Sequence, residues 1–219
     1  MPRFRTLAVA ALGVSALLLT SSAAYAGDHD FRRHTHFGSG GFGAGSQSAS
    51  MSWGFYNGPL TDLSPSTKDP FDGAKATATM MGVGGSTFFR LQVRGLDDSA
   101  LGNKYGAHLH QGPCGLAADG VTATVGPHYN TSPLAADGKT YTEITDQTEV
   151  WLDFKVDAFG NARSTARVDF VPTEGKRSIT LHATPTAHHQ EHATDPAVGT
   201  AGAKLACLPL EIRTLPESN

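Results

Sequence analysis

Two histidines separated by a single residue, His108 and His110, have a type and spacing that suit metal binding. In an extended chain successive side chains point to opposite faces, so these two would project from the same side of one strand. Two neutral imidazole nitrogens at that spacing can occupy neighbouring positions around one transition-metal ion. The pair alone is a weak signal, because two histidines on one face can equally be solvated or packed.

Two further histidines strengthen the metal hypothesis. His128 follows Pro127 in a turn-rich segment, and His182 ends the apolar run of residues 178–181. Histidines brought together from separate strands and loops would form a site of imidazole ligands alone, which favours copper over hard cations that prefer oxygen. The predicted copper ligands are His108, His110, His128 and His182.

Four motifs of this chain resemble, in order, those of the copper/zinc superoxide dismutase family. They are Gly-Ala-His108-Leu-His110, Gly-Pro-His128-Tyr-Asn, Ser-Ile-Thr-Leu-His182 and Gly202-Ala-Lys204-Leu-Ala-Cys207. The resemblance covers residues 74–210 and implies an enzyme that converts superoxide to dioxygen and hydrogen peroxide through a redox-active copper. It also implies that His128 is catalytic, because the corresponding family histidine delivers a proton.

The chain departs from this family at the zinc site. The family has two further zinc-binding histidines and one aspartate after its counterpart of His128, whereas no histidine lies between residues 128 and 182 here. An ungapped alignment on the turn at residues 156–160 places Val150 at the aspartate and Gln147 at one histidine. We therefore expect a copper-only site, in which His128 is a terminal ligand.

Three acids near these positions do not change that expectation. Asp146, Glu149 and Asp153 are available, but carboxylates without imidazole or thiolate partners make a poor structural zinc site. A carboxylate or a water beside the copper ligands would instead set the tautomer of His128.

The second departure is Lys204, which stands where the family has an arginine beside copper that attracts the anionic substrate. Lysine keeps the charge and lacks the planar guanidinium, so the resemblance implies attraction with weaker positioning. The alternative is a lysine that only extends its head to solvent at a strand end. On a chain with net negative charge, steering of superoxide needs a local cation and weakens with salt.

The first 26 residues have the pattern of a secretory signal peptide, with Arg3 and Arg5, an apolar centre at residues 7–19 and Ala24-Tyr25-Ala26 at the cleavage position. The apolar centre is too short to span a bilayer, so we expect a secreted, soluble product in the extracellular, cell-wall or periplasmic space. Removal of the signal leaves 15 of the 17 basic residues against 20 acidic ones, a formal charge of about −5. Nucleic acid and anionic membranes are therefore poor candidate partners.

The two cysteines, Cys114 and Cys207, suit an exported protein with one disulfide, although two free buried thiols fit the sequence too. The family resemblance implies the disulfide, which there ties the metal-binding loop to the strand after the loop that guides the substrate. Such a bond would fix the loop relative to the barrel.

Residues 27–50 are rich in glycine, serine and histidine and are predicted to form a flexible tail. The tail contains His29, His34 and His36, which are either solvated or able to capture copper. The remaining residues, 51–219, are assigned to one domain.

The pattern of that domain predicts an all-β fold, with short strands separated by turn residues and no helical periodicity. Residues 75–83 and 86–93 are expected to form a hairpin at Gly84-Gly85, and residues 148–156 and 162–170 two further strands. The expected architecture is a Greek-key β-barrel or sandwich of the copper/zinc superoxide dismutase type.

Two long loops are expected to be functional, at residues 111–147 and 183–203. The second contains His188, His189 and His192, which either bind a second metal or are solvated. Residues 51–72 are expected to be irregular, with one strand at most.

Overall fold

A computed structural model describes residues 50–187 and 199–215, and these residues form an all-β fold. Among them the helical structure is confined to one 3-10 turn at Asp98–Ala100. The strands are β1 Met51–Pro59, β2 Thr61–Asp62, β3 Lys75–Val83, β4 Ser86–Arg94, β5 Lys104–Tyr105, β6 Ala107–His110, β7 Phe154–Lys155, β8 Asn161–Val168, β9 Gly175–His182 and β10 Lys204–Thr214.

The main sheet curls around the core and has the strand order β6-β9-β10-β1-β3-β4-β8, with β2 also paired to β10. β5 and β7 form a separate two-stranded sheet, and every pairing is antiparallel. This arrangement confirms the all-β prediction and fits a barrel or sandwich, whereas the Greek-key connection of the dismutase type stays a prediction.

Alternation of apolar and polar residues sets which face of the sheet is buried. In β4, Phe89, Leu91 and Val93 are fully buried, while the residues between them face outward. The opposite positions of β3 carry the small side chains Ala76 and Ala78, which let the strands curve closely around these larger groups. Removal of this apolar surface from water is the main stabilising contribution to the fold.

The predicted hairpin between β3 and β4 is confirmed. Its turn residues Gly84 and Gly85 have φ values of 60° and 86°, a left-handed backbone that glycine adopts without the steric cost of a Cβ. Two consecutive residues of this conformation match the twist of the flanking strands, which is why the dipeptide is a reliable hairpin signal.

The predicted strand at residues 148–156 is only partly correct. The apolar side chains of Val150, Leu152 and Val156 are buried, as expected for a strand with one buried face, but regular pairing is limited to Phe154–Lys155. Glu149 and Trp151 form isolated bridges instead. This segment therefore contributes one face to the core, while Glu149 and Trp151 on the other face lie beside His128 and His108.

The strand predicted around His108 is interrupted at Gly106. β5 pairs with β7 and β6 pairs with β9, so the chain changes partner at this residue. A Cβ on Gly106 would lie 2.6 Å from the Cβ of Ala201, which explains the need for glycine. The segment expected to be irregular contains two strands rather than one, β1 and β2.

Some predicted features lie outside the described residues. They include the signal peptide, all but the last residue of the tail, and His29, His34, His36, His188, His189 and His192. Within residues 50–187 and 199–215, no helix has the length and apolar character needed to cross a bilayer.

Candidate metal centre

Three of the four predicted ligands lie on two paired strands. In β6, His108 lies opposite Thr180 and His110 opposite Ser178 of β9. His182 ends β9, where its backbone N–H donates to the carbonyl oxygen of Gly106 at 2.9 Å. Because His108 and His110 are two residues apart on one strand, their side chains share a face, as the sequence predicts.

The fourth ligand, His128, lies in the loop of residues 111–147 and is held against β6 by a bridge to His110. Gln111 donates its backbone N–H to Pro127 at 3.0 Å, and Gly112 donates to Val125 at 2.7 Å. A Cβ on Gly112 would lie 2.3 Å from the carbonyl oxygen of Thr124, so only glycine allows the two loop segments to approach this closely.

The four imidazoles converge on one point. Nδ1 of His108 lies 3.0 Å from Nε2 of His128, and Nε2 of His110 lies 3.3 Å from Nε2 of His182. One ring nitrogen from each of the four histidines lies within 4.8 Å of the others. Nitrogens this close can share a single ion at the metal–nitrogen distances of about 2 Å that are usual for histidine ligands.

The outer nitrogens of His110 and His182 both donate to backbone carbonyls. Nδ1 of His110 lies 2.9 Å from the carbonyl oxygen of Gly126, and Nδ1 of His182 lies 3.3 Å from that of Gly202. A carbonyl oxygen accepts only, so the proton of each neutral ring is on Nδ1. The lone pair of each Nε2 is therefore directed at the shared point.

A three-residue chain fixes His108 in the opposite tautomer. The Thr186 hydroxyl donates to Oδ1 of Asp153 at 2.5 Å, so its oxygen accepts from Nε2 of His108 at 2.6 Å. The Asp153 carboxylate also accepts the backbone N–H groups of Thr186 and Ala107. The proton of His108 is thereby held on Nε2, which directs the Nδ1 lone pair inward.

A buried carboxylate holds His128. Oε2 of Glu149 lies 2.9 Å from Nδ1 of His128 and also accepts from Nε1 of Trp151 at 2.8 Å. Its other oxygen accepts from Nδ2 of Asn130 at 3.1 Å. Glu149 is only 2% exposed, so this acceptor keeps the His128 proton on Nδ1 and directs Nε2 to the other three rings.

The protonation states suit metal binding. Burial lowers the pKa of His110 to about 2 and that of His182 to about 4, and the neighbouring His128 and Lys204 add to the lowering. Both rings are therefore neutral at pH 7. Ring nitrogens directed at one point can share a cation, so this cluster could hold a metal ion.

Lys204 lies at the edge of this cluster, at the start of β10. Its Nζ donates to the carbonyl oxygen of Gly126 at 3.0 Å, the same oxygen that accepts from His110. The side chain is partly buried, and this burial lowers the pKa of the ammonium group. The positive charge of Lys204 therefore shares a carbonyl acceptor with the predicted ligand His110.

The disulfide pairs Cys114 with Cys207, as the sequence predicts. Cys207 is fully buried in β10, three residues after Lys204, and Cys114 lies near the start of the loop that carries His128. The bond therefore connects the loop to the strand that begins at the metal cluster.

The positions expected to have lost the zinc ligands are separate from the cluster. Val150 is fully buried in the apolar core, and Gln147 is exposed and donates to Asp146 at 3.4 Å. The three acids near these positions therefore differ in their contacts. Asp146 is exposed, whereas Glu149 contacts His128 and Asp153 is linked to His108 through Thr186.

Sequence reasoning named Glu149 and Asp153 but missed their partners. Alternation places Val150, Leu152 and Phe154 in the core, so residues 149, 151 and 153 must share the opposite face, which is the face of the histidines. That signal was available in the sequence. Thr186 gave no comparable signal, because nothing in its neighbourhood relates it to His108 before the chain is folded.

A second group of side chains, Asp62, Asp69 and Asp72, also lies close together. Their carboxylates accept backbone N–H groups of the same segment, from Ser64, Phe71 and Asp69. These contacts stabilise the turns between β2 and β3, and we assign the group no further role.

The four histidines form a largely buried cluster that could hold one metal ion. No protein-family model and no curated protein matches this chain. The donor atoms and their surroundings are therefore what bears on the identity of the metal and its chemistry.

Proposed function

We propose that this protein is a secreted, copper-dependent superoxide dismutase on a Greek-key β-barrel. The observation that carries the proposal is the convergence of four imidazole nitrogens whose outer nitrogens are all occupied by acceptors. The motif resemblance supports the same conclusion, because the four histidines that it singles out are the ones that converge.

The donor set favours copper. All four donors are imidazole nitrogens, with neither thiolate nor carboxylate among them. Among divalent first-row metals, copper binds nitrogen ligands most tightly, whereas magnesium and calcium require oxygen. Val150 and Gln147 at the expected zinc positions support a site for one metal.

Copper bound at this site would supply one-electron chemistry, by which one superoxide is oxidised to dioxygen and another takes up an electron and two protons to give hydrogen peroxide. The chain supplies the ligand geometry and the proton position. His128 is the ligand with the most exposed side chain, at 20%, and it holds a proton on Nδ1 beside Glu149. This ring can therefore exchange a proton with solvent more readily than the other three.

Lys204 would attract the substrate. Superoxide is a small anion, and Lys204 provides a cation at the rim of the histidine cluster on a chain of negative net charge. A local positive potential raises the rate of anion encounter, and salt weakens it. The disulfide fits export to an oxidising compartment, as the signal-like amino terminus also suggests.

The alternative is an extracellular copper-scavenging protein on the same fold, without turnover. It is favoured by the deep burial of His108, His110 and His182, each at most 2% exposed. A site that stores copper benefits from such shielding, whereas a catalyst needs an approach for substrate.

Metal content measured together with dismutase activity tests both functions. We expect one copper and little zinc per folded chain, a Cu(II) spectrum with several nitrogen ligands, and rapid decay of superoxide generated by a radiolysis pulse. Copper binding without turnover would favour the scavenging function. Two tightly bound metals of different kinds, or no copper at micromolar concentration, would contradict the proposal.

A further inference from the structure

A run of exposed cations crosses one end of the main sheet and continues onto the small β5–β7 sheet. These residues, which we call the basic stripe, come from five strands, β5, β7, β8, β4 and β3. They are Lys104, Lys155, Arg163, Arg94 and Lys75.

The strand register brings like charges together in this stripe. Lys104 lies directly opposite Lys155, and Lys75 directly opposite Arg94. Like charges at directly opposite positions destabilise a sheet. None of the five forms an ion pair with a carboxylate of residues 50–187 or 199–215. Strands β3, β4 and β8 contain five cations and no acid, on a chain whose net charge is −3.

Two grooves connect four members of the stripe, and Lys104 lies outside both. The first has a volume of about 560 Å³ and is lined by Arg94, Lys155 and Arg163 together with the amides of Gln92 and Asn161. Asp157 also lines it, but this carboxylate accepts the backbone N–H groups of Phe159 and Asn161. The second groove, about 430 Å³, adjoins the first at Arg94 and is lined by Lys75, Asn57 and Thr77.

The lining indicates the class of ligand. Cations and side-chain amides are present, whereas neither groove contains an aromatic residue, and the apolar members Val93, Ala162 and Ala76 are buried beneath the surface. Base stacking of single-stranded nucleic acid uses aromatic side chains and insertion into a membrane surface uses exposed apolar groups, and the two grooves provide neither. A hydroxyl-rich polymer with regularly spaced anionic groups matches amides and cations together.

We propose that the basic stripe binds an acidic polysaccharide. Neighbouring strands are about 4.8 Å apart, so cations on successive strands can contact anionic groups along an extended chain. The amides of Gln92 and Asn161 would bond sugar hydroxyls between these charges. Such binding would retain the protein near a polymer-coated surface, and it does not depend on the proposed dismutase function.

Titration of the full mature chain with alginate oligosaccharides, a linear polyuronate, tests the proposal. We expect binding that weakens with salt, no binding of neutral dextran, and a loss of about tenfold in affinity for Lys155→Glu with Arg163→Glu. The matched control is Arg90→Glu with Arg167→Glu, because these exposed cations lie on β4 and β8 outside both grooves. This pair should change affinity by less than about twofold.

Three outcomes would overturn the proposal. They are no alginate binding at low salt, equal losses in the two double variants, and tighter binding of an oligothymidylate or of phosphatidylglycerol vesicles than of alginate. If Lys155→Glu with Arg163→Glu fails to fold, Lys155→Gln with Arg163→Gln removes the same charges, and Arg90→Gln with Arg167→Gln is then its matched control.

Discussion

Glu149 holds His128 of the histidine cluster in position. It is a buried carboxylate within hydrogen-bond distance of His128, Trp151 and Asn130 at once. Each of these groups donates, so the carboxylate accepts hydrogen bonds from three partners. A carboxylate that accepts from a ligand's outer nitrogen raises the basicity of that ligand and fixes its orientation.

The variant Glu149→Gln tests this contribution. The amide is a weaker acceptor and cannot serve all three donors, so we expect copper affinity to fall by roughly tenfold to a hundredfold. Competition against a chelator of known affinity measures the change. Asp146→Asn is the matched control, since Asp146 is exposed and should leave copper affinity unaltered. Equal effects in both variants would remove the role assigned to Glu149.

Lys204→Glu tests the steering charge. Because Lys204 contacts the carbonyl oxygen of Gly126 and no ligand nitrogen, reversal of its charge should lower the rate with superoxide about tenfold while copper affinity changes much less. Pulse radiolysis at several salt concentrations measures the rate. Lys139→Glu, at an exposed loop position, makes the same change in net charge and should have little effect. An unchanged rate in Lys204→Glu would show that the residue does not guide the anion.

At the scale of elements, the cluster is divided between two rigid strands and one loop. β6 and β9 carry His108, His110 and His182, and their ladder fixes the relative positions of these three. His128 is placed by the loop, which the disulfide and the close contact at Gly112 hold against the sheet. Loss of the disulfide that holds the loop should therefore displace His128 and leave the other three histidines in place.

Replacement of both cysteines by serine tests that division. The bond spans 93 residues, so its loss should lower the free energy of unfolding by about 4–5 kcal/mol in the loop-entropy account. Where the variant still folds, we expect weaker copper binding and a Cu(II) spectrum with fewer nitrogen ligands. Reduction of the metal-free parent chain, with the reductant removed before copper is added, should have an effect in the same direction and should leave the serine variant unchanged. Four nitrogen ligands at full affinity in that variant would contradict the loop's role.

At the scale of the whole molecule, burial of His110 and His182 makes the free energy of unfolding depend on pH. Burial lowers the pKa of His110 and of His182 below the value near 6.5 that histidine has in an unfolded chain. The unfolded state therefore binds more protons at these two rings below that value, so their contribution to the stability of the metal-free protein is fully present above about pH 6.5 and is lost as the pH falls.

Urea unfolding of the metal-free protein at pH 7 and pH 5 measures this dependence. We expect a loss of about 2 kcal/mol for each of the two histidines over that interval. His110→Gln, which keeps a polar side chain without an ionisable ring, should reduce the difference between the two pH values. The same stability at both values would mean that these rings do not stay neutral in the folded state.

Local patterns predicted much of this molecule. The Gly84-Gly85 signal predicted the hairpin of β3 and β4, and the spacing of His108 and His110 predicted that these two side chains share a face. The partner change at Gly106 and the bond from Thr186 to His108 were not predictable, because they depend on contacts between segments far apart in sequence. Regular pairing was over-predicted at residues 148–156 because alternation reports burial of a face, not a hydrogen-bonded neighbour.

The register between β6 and β9 determines whether a folded chain can form the histidine cluster. A slip of one residue would exchange the face of His108 and His110 with that of Ala107 and Leu109, and the ring nitrogens could no longer meet. Only a correctly aligned chain could then hold an ion at the histidine cluster. Metal binding would therefore distinguish molecules with the correct β6–β9 register from misaligned ones.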